Sequence, residues 1–295
     1  MQTLTAPAPA KINLTLRVGP RRADGFHPLE SLVALVGLAD TLTVAPRAAG
    51  QLVLRCDDPT LPTDARNLVL RAARALAAAR GLDAGADLTL AKRIPAGAGL
   101  GGGSSDAATT LRLLNELWHC GLETSELAAL GATLGSDVPL FFHGPLCVMR
   151  GRGEVLEAPP PPMAESLRAT WVVLVLPALA CSTAAVYAEF DRLPAPPVRP
   201  LTELSRRAPQ GGAPQPLSAL LPLLFNDLEP AALRVCPPLV PLFEHARGAL
   251  GPHVRMTGSG AALFHLYGSQ AEAQAAAARA RHQLGTRLEV VPVGM

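Results

Sequence analysis

From Lys11 to Val18 apolar and polar residues alternate strictly: Ile12, Leu14, Leu16 and Val18 fall on one side of an extended backbone, and Lys11, Asn13, Thr15 and Arg17 on the other. That spacing predicts a half-buried strand. Thr41–Ala45, Gln51–Arg55 and Asp87–Ala91 are shorter alternating runs bounded by Gly, Pro and Asp, and predict further strands of a mixed sheet. Between them, Asn67–Arg80 carries apolar residues at helical spacing, is rich in alanine and meets Gly81, a helix stop. A second helix is expected to begin near Ser104 or Ser105, good N-cap residues after a glycine run, and to pass Leu111, Leu114 and Leu117 before stopping ahead of Gly121. A third is predicted from Thr124 to Leu134, with Pro139 barring its resumption, which leaves Asp137 on a short loop beside a helix end.

The texture changes after Arg152. Four consecutive prolines, Pro159 to Pro162, mark a domain boundary, so residues 1–157 and 158–295 are expected to form two domains. In the second, Trp171–Leu176 predicts a buried strand, Pro194–Pro216 a long surface excursion, and Ser218–Leu228 a helix with Pro222 in its first turn. Leu239–Leu250 and Gln270–Leu284 predict helices, while Ala261–Leu266 and Arg287–Val293 predict strands. Helices and strands in this succession make the expected fold class α+β. No internal repeat is visible.

Composition narrows the function. The chain has 295 residues, 49% of them hydrophobic, so it can bury a real core. With 17% charged residues and a net charge of +2 it lacks the basic excess of a nucleic-acid binder. Five cysteines, Cys56, Cys120, Cys147, Cys181 and Cys236, are scattered without metal-ligand spacing, and reduced cytosolic thiols are the simplest reading. Met1–Pro9 has neither the basic nor the apolar region of a secretory signal, and the apolar run Trp171–Ala180 is broken by Pro177, too short for a membrane span. The expectation is a cytoplasmic protein with a small-molecule substrate, no nucleic acid and no membrane, acting as a monomer or homodimer.

One bias singles out residues. The chain has two lysines, Lys11 and Lys92, among 26 basic Lys and Arg residues. Lysine is a compact point charge whose pKa burial can shift, whereas arginine needs room for a planar fork, so both lysines mark places where guanidinium would serve badly. Chance survival at the surface is the competing explanation.

Three segments carry chemistry. Pro95-Ala-Gly-Ala-Gly-Leu-Gly-Gly-Gly-Ser-Ser105 delivers a glycine-rich loop into a helix N-terminus, where close backbone approach and the helix dipole favour phosphate. No Gly-Lys-Ser/Thr follows, so it is not a Walker A loop; Gly97, Gly99 and Gly102 match G-x-G-x-x-G formally, but the strands before it do not form βαβ units. Thr257-Gly-Ser-Gly260 is a second glycine cluster, which by spacing alone would serve equally as a turn. Arg22-Ala-Asp-Gly-Phe-His27 places Phe26 and His27 side by side, a stacking surface and a hydrogen-bonding ring suited to a nucleobase, or else an anchored turn.

Taken in order, Ala10-Lys-Ile-Asn13 with Arg22–His27, then Pro95–Ser105, Leu134-Gly-Ser-Asp-Val-Pro139 and Thr257-Gly-Ser-Gly-Ala261 resemble the successive motifs of the GHMP kinases. The resemblance spans nearly the whole chain. It implies an α+β, two-domain fold, with an N-terminal ribosomal-S5-like domain and a C-terminal ferredoxin-like one. It also implies an ATP-dependent small-molecule kinase using Mg²⁺. The Lys-Ile-Asn start coupled to Arg-Ala-Asp-Gly-Phe-His is similar to the branch that phosphorylates the 2-hydroxyl of a cytidine diphosphate sugar alcohol in the non-mevalonate isoprenoid route.

Carried over by motif, Lys11 and Asp137 match the catalytic pair, with Asp137 accepting the hydroxyl proton and Lys11 as the cation. Pro95, Ala96, Gly97, Ala98, Gly99, Leu100, Gly101, Gly102, Gly103, Ser104 and Ser105 match the ATP phosphate loop, and Asn67 an asparagine at the nucleotide's base side. Asn13, Phe26 and His27 match substrate contacts, with the cytosine sandwiched between Phe26 and a second ring that Tyr187 fits best, and Thr183 beside it. The metal ligands are not given, Ser105 being a candidate. Rival readings are a GHMP kinase for homoserine or mevalonate, a non-catalytic nucleotide-binding protein of the same fold, and, on the formal glycine match, a dinucleotide-dependent oxidoreductase. Lys92 is left without a role, as an aid to the nucleotide or a surface survivor.

Overall fold

The computed structural model describes residues 3–196 and 215–294, so most of the expected excursion Pro194–Pro216 lies outside the described residues. The chain divides into two compact units that are discontinuous in sequence. One holds Met1–Ala10, Leu38–Pro95 and Gly101–Gly144, the other Lys11–Gly37, Ala96–Leu100 and Pro145–Met295. Two long strands, β1 (Leu4–Val18) and β2 (Leu29–Arg47), contribute residues to each.

In the first unit the end of β2 pairs antiparallel with β4 (Gly85–Ala91), which pairs parallel with β3 (Leu52–Cys56). A parallel neighbour requires a crossover, and α1 (Leu68–Arg80) supplies it. Asn67, expected to open the helix, instead caps α1 by accepting from the Val69 N–H, and Gly81, left-handed at φ 61°, ends it as the sequence predicts. Val69, Leu70, Ala72, Ala73 and Leu76 are buried, and the small alanines let α1 pack closely on α2 (Gly102–Leu117). The second helix starts two residues earlier than the serine signal suggests, because Gly101, left-handed at φ 71°, turns the chain and no side chain caps the end. α3 (Thr124–Ala132) ends in the turn carrying Asp137. Pro139 does not bar further helix there. It precedes the one-turn α4 (Leu140–His143), where a missing N–H costs nothing.

In the second unit the start of β2 pairs antiparallel with β5 (Leu146–Gly151), and β5 with β6 (Val155–Glu157), which α5 (Pro161–Leu167) follows. β1 pairs parallel with β8 (Phe225–Asn226) at Thr15 and Leu16. A separate antiparallel sheet has the order β11-β7-β10-β9, from Arg287–Pro292, Trp171–Leu176, Leu263–Tyr267 and Arg255–Met256. Val173, Val175, Phe243, Leu250, Ala273 and Ala277 belong to its core, contributed by the sheet and by helices Leu239–Leu250 and Gln270–Leu284, both at their predicted bounds.

Three further expectations change. Over Lys11–Leu16 β1 is buried on both faces, Lys11 at 4% and Asn13 at 2% exposure included, so its alternation separates an apolar face from a polar interior rather than from water. β2 is far longer than Thr41–Ala45: its first half is apolar without alternation, as suits a strand covered on both sides. Ser218–Leu228 is not one helix. A short helix Leu217–Leu220 and a 3₁₀ turn Leu221–Leu223 containing Pro222 give way to β8, because the backbone of Phe225 and Asn226 is taken by β1.

Candidate active site

Lys11 and Asn13 lie two residues apart on β1 and therefore share a face. The Lys11 ammonium donates to Asn13 Oδ1 at 2.7 Å, and Asn13 Nδ2 donates to Ser31 Oγ at 2.8 Å, so the lysine's reach is fixed by a buried amide that is itself anchored. The Lys11 N–H donates to Leu100 O at 2.9 Å, and Ala262 N–H to Ala98 O at 3.1 Å, which seats the centre of the first glycine loop between β1 and the second. Thr257 Oγ1 accepts from Asn13 N–H at 3.0 Å and stands 3.3 Å from Gly99 O. The two glycine segments interlock: a Cβ on Gly99, whose φ is +77°, would fall 2.2 Å from Thr257 O, and one on Gly258 would fall 3.3 Å from Lys11 Nζ. Asn226 holds the second loop by donating to Met256 O at 2.9 Å and Gly258 O at 2.8 Å.

A second cluster in the same unit surrounds His27. Its Nε2 is 2.7 Å from Asp191 Oδ1, and its ring lies 5.1 Å from that of Tyr187 and 5.9 Å from that of Phe190. His27 is 8% exposed, so it does not face solvent, while Phe26 next to it is 54% exposed and carries the Arg152 guanidinium 5.0 Å from its ring centroid. Tyr187 and Phe190 come from α6 (Thr183–Phe190), whose N-cap is Ser182; Thr183 opens that helix with its hydroxyl 2.8 Å from Ser259 Oγ.

The first unit holds the loop's two ends. The amides at the start of α2 lack intrahelical acceptors, and without a side-chain cap they form an anion-binding end. Ser105 Oγ in that turn is buried and has no hydrogen-bond partner among the described residues. Asn67 is committed to the N-terminus of α1: Oδ1 accepts from Val69 N–H at 3.0 Å and Nδ2 donates to Pro62 O at 2.8 Å. An approach by a base would use its second lone pair or second proton. Lys92 is no surface survivor. Its side chain is 7% exposed and pairs with Asp40 and Asp106. Asp137 is half-buried in the turn before Pro139.

The structure thus gathers Lys11 and Asn13 with both glycine segments, and His27 with Tyr187. It adds residues the sequence signals passed over: Ser31 and Asn226, which orient the cluster, and Asp191, 164 residues from His27. No local pattern marks Asp191 or Ser31; Asn226 sits in a Phe-Asn-Asp-Leu run that reads as helix by composition.

Comparison with known proteins places the chain in a family. Residues 67–145 match the family described as GHMP kinases N terminal domain, and residues 210–285 that described as GHMP kinases C terminal. A 4-diphosphocytidyl-2-C-methyl-D-erythritol kinase of Variovorax paradoxus is 41% identical over 261 residues, covering 88% of this chain and 85% of that protein. The chain belongs to the 4-diphosphocytidyl-2-C-methyl-D-erythritol kinases. A crystal structure of a 4-(cytidine 5'-diphospho)-2C-methyl-D-erythritol kinase superposes with a TM-score of 0.75 at 35% identity, covering 99% of this chain and all of that one. A homoserine kinase from Cytophaga hutchinsonii, at a TM-score of 0.69 and 19% identity, shares the fold alone. The fold of this 4-diphosphocytidyl-2-C-methyl-D-erythritol kinase family member is the two-domain α+β fold of the GHMP kinases, and the formal dinucleotide match of its glycine loop carries no weight.

Proposed function

We propose that Lys11 and Asp137 carry out the reaction of this family in the present chain, with ATP on the Pro95–Ser105 loop and the cytidine end of the substrate against Phe26, His27 and Tyr187. The enzyme transfers the γ-phosphoryl of ATP to the 2-hydroxyl of 4-diphosphocytidyl-2-C-methyl-D-erythritol, giving the 2-phosphate and ADP, a step in isoprenoid biosynthesis. The observation that carries the site assignment is the Lys11 ammonium, held by Asn13 at 2.7 Å against the second of two interlocked glycine segments.

Phosphoryl transfer asks a protein mainly for positioning and charge stabilisation. Lys11, fixed by Asn13, offers a positive charge to the transferring phosphoryl and lowers the pKa of the substrate hydroxyl. Asp137 accepts the proton that the 2-hydroxyl releases as its oxygen bonds to phosphorus and the bond to ADP breaks. Thr183 and Tyr187 on α6, with Phe26 and His27, orient the cytidine, and Asn13 also contacts the substrate. Asn67 faces the nucleotide's base side while capping α1.

A magnesium ion bound with ATP would supply positive charge to the phosphate chain. The unpartnered Ser105 Oγ fits such an ion as a hard oxygen ligand beside the phosphates. In the same reading the domains divide at 157/158, with one family match on each side of that point. The protein acts in the cytoplasm with its five cysteines free, as a monomer or homodimer on small molecules alone. Among the described residues no helix is long and apolar enough to cross a membrane.

The test of the assignment is Asp137→Asn. Turnover is expected to fall at least about a hundredfold while ADP binding, read by calorimetry, stays within about twofold, in line with a lost general base. Wild-type rates in that variant would remove Asp137 from the chemistry.

A further inference from the structure

The second lysine stands in a cluster that the chemistry above does not use. Asp40 is fully buried, Asp106 is 3% exposed, and the Lys92 side chain between them is 7% exposed. Each buried ion costs several kcal/mol of desolvation unless it is paired and hydrogen-bonded, so the arrangement of partners matters. One carboxylate oxygen of Asp40 accepts from the Arg93 N–H at 2.5 Å and the Ile94 N–H at 2.8 Å, the two amides that lead into Pro95. The other oxygen meets the Lys92 ammonium, which reaches on to Asp106 Oδ2 at 2.9 Å, one turn into α2. A Cβ on Gly102, the first residue of α2, would fall 3.0 Å from Ile94 Cγ2 and 3.3 Å from Lys92 Nζ. The helix start therefore rests on the same ammonium.

These contacts join the strand end that enters the glycine loop to the helix that leaves it. We propose that Lys92 is a positioning residue for ATP, which with Asp40 and Asp106 fixes the spacing between the two ends of the phosphate loop. The proposal rests on the reading that ATP phosphates lie on Pro95–Ser105. A lysine suits the place because a single nitrogen with three donors can serve two carboxylates beneath a glycine, where a planar guanidinium lacks room. That accounts for a second lysine in a chain that otherwise places arginine wherever it needs a cation.

The experiment compares Lys92→Met and Lys92→Arg with wild type, measuring KM for ATP and for the cytidyl substrate, kcat, ADP affinity by calorimetry, and thermal unfolding. In Lys92→Met, KM for ATP and Kd for ADP are expected to rise at least tenfold, with KM for the cytidyl substrate within twofold. In Lys92→Arg, retained charge without fit is expected to leave at least a fivefold rise. A lower melting temperature with both KM values and ADP affinity unchanged would mean that the cluster only holds the fold, and would overturn the proposal. Should Lys92→Met not fold, Asp106→Asn decides in its place: at least a threefold rise in KM for ATP supports the proposal, and no change overturns it. Gly103→Asp separates the proposal from the reading beneath it. Its Cβ would make only ordinary contact, 3.6 Å to Leu68 Cδ1, and its carboxylate adds a negative charge at the start of α2. If Gly103→Asp leaves ADP affinity intact, the nucleotide is not on the loop and that reading fails. If it weakens ADP at least tenfold while Lys92→Met does not, the positioning role alone fails.

Discussion

Gly99→Ala and Gly97→Ala, measured side by side, isolate the contact between the two glycine segments. Both residues have left-handed backbones, φ +77° at Gly99 and +67° at Gly97, so alanine meets a similar conformational cost at each, roughly 1–2 kcal/mol. Reduced freedom of the unfolded chain returns about 0.4–1 kcal/mol in both cases. The surroundings differ. A Cβ on Gly97 has only Ala180 Cβ near it, at 3.8 Å, whereas one on Gly99 would meet Thr257 O at 2.2 Å and Gly260 N at 3.1 Å. Those neighbours are backbone atoms of a segment that Asn226 holds at Met256 O and Gly258 O, so the clash adds a strain of about 1–3 kcal/mol or more. Gly97→Ala is therefore expected to cost about 1 kcal/mol and Gly99→Ala about 2–4 kcal/mol, read from urea unfolding at constant m value. Because Leu100 O accepts from Lys11 N–H next to this contact, kcat should fall at least tenfold in Gly99→Ala and less than threefold in Gly97→Ala. Equal losses of stability and rate in the two variants would refute the interlocked arrangement.

Two more outcomes follow from the geometry. Tyr187→Ala removes the ring 5.1 Å from His27 and should raise KM for the cytidyl substrate at least tenfold while KM for ATP moves less than twofold; equal effects would show that the second ring lies elsewhere. Burial, aided by the charge of Asp40 and opposed by that of Lys92, pushes the Asp106 carboxyl up to about 7 from an ordinary 3.8. The folded chain then keeps a proton that the unfolded chain has lost, so unfolding free energy should decline as pH rises from about 4 to about 7, by no more than about 4 kcal/mol, and Asp106→Asn should flatten that slope in urea titrations. A slope unchanged in the variant would assign the effect to another group.

What the sequence disclosed is what it encodes locally. The alternation of β1, the glycine stop of α1 and the bounds of helix Gln270–Leu284 are set by residues a few positions apart, and all three were legible. The glycine segments and Phe26-His27 were legible as motifs, yet only the fold shows that Gly99 touches Thr257 and that His27 leans on Asp191. Pairings of that kind span 158 and 164 residues and leave no periodic trace. Phe225–Asn226 reads as helix because its partner on β1 lies far upstream, and Lys92 is left without a role by the sequence because Asp40 is 52 residues away. Burial on both faces hides β2 for the converse reason: where no side meets water, alternation has nothing to report.

The central claim is phosphoryl transfer to one particular hydroxyl, and the most direct measurement is ADP release with ATP and Mg²⁺ when four acceptors are offered in parallel. These are 4-diphosphocytidyl-2-C-methyl-D-erythritol, free methylerythritol, homoserine and mevalonate. Turnover is expected with the cytidyl compound alone, yielding a product phosphorylated at the 2-hydroxyl. Release of ADP with homoserine or mevalonate, and none with the cytidyl compound, would contradict it.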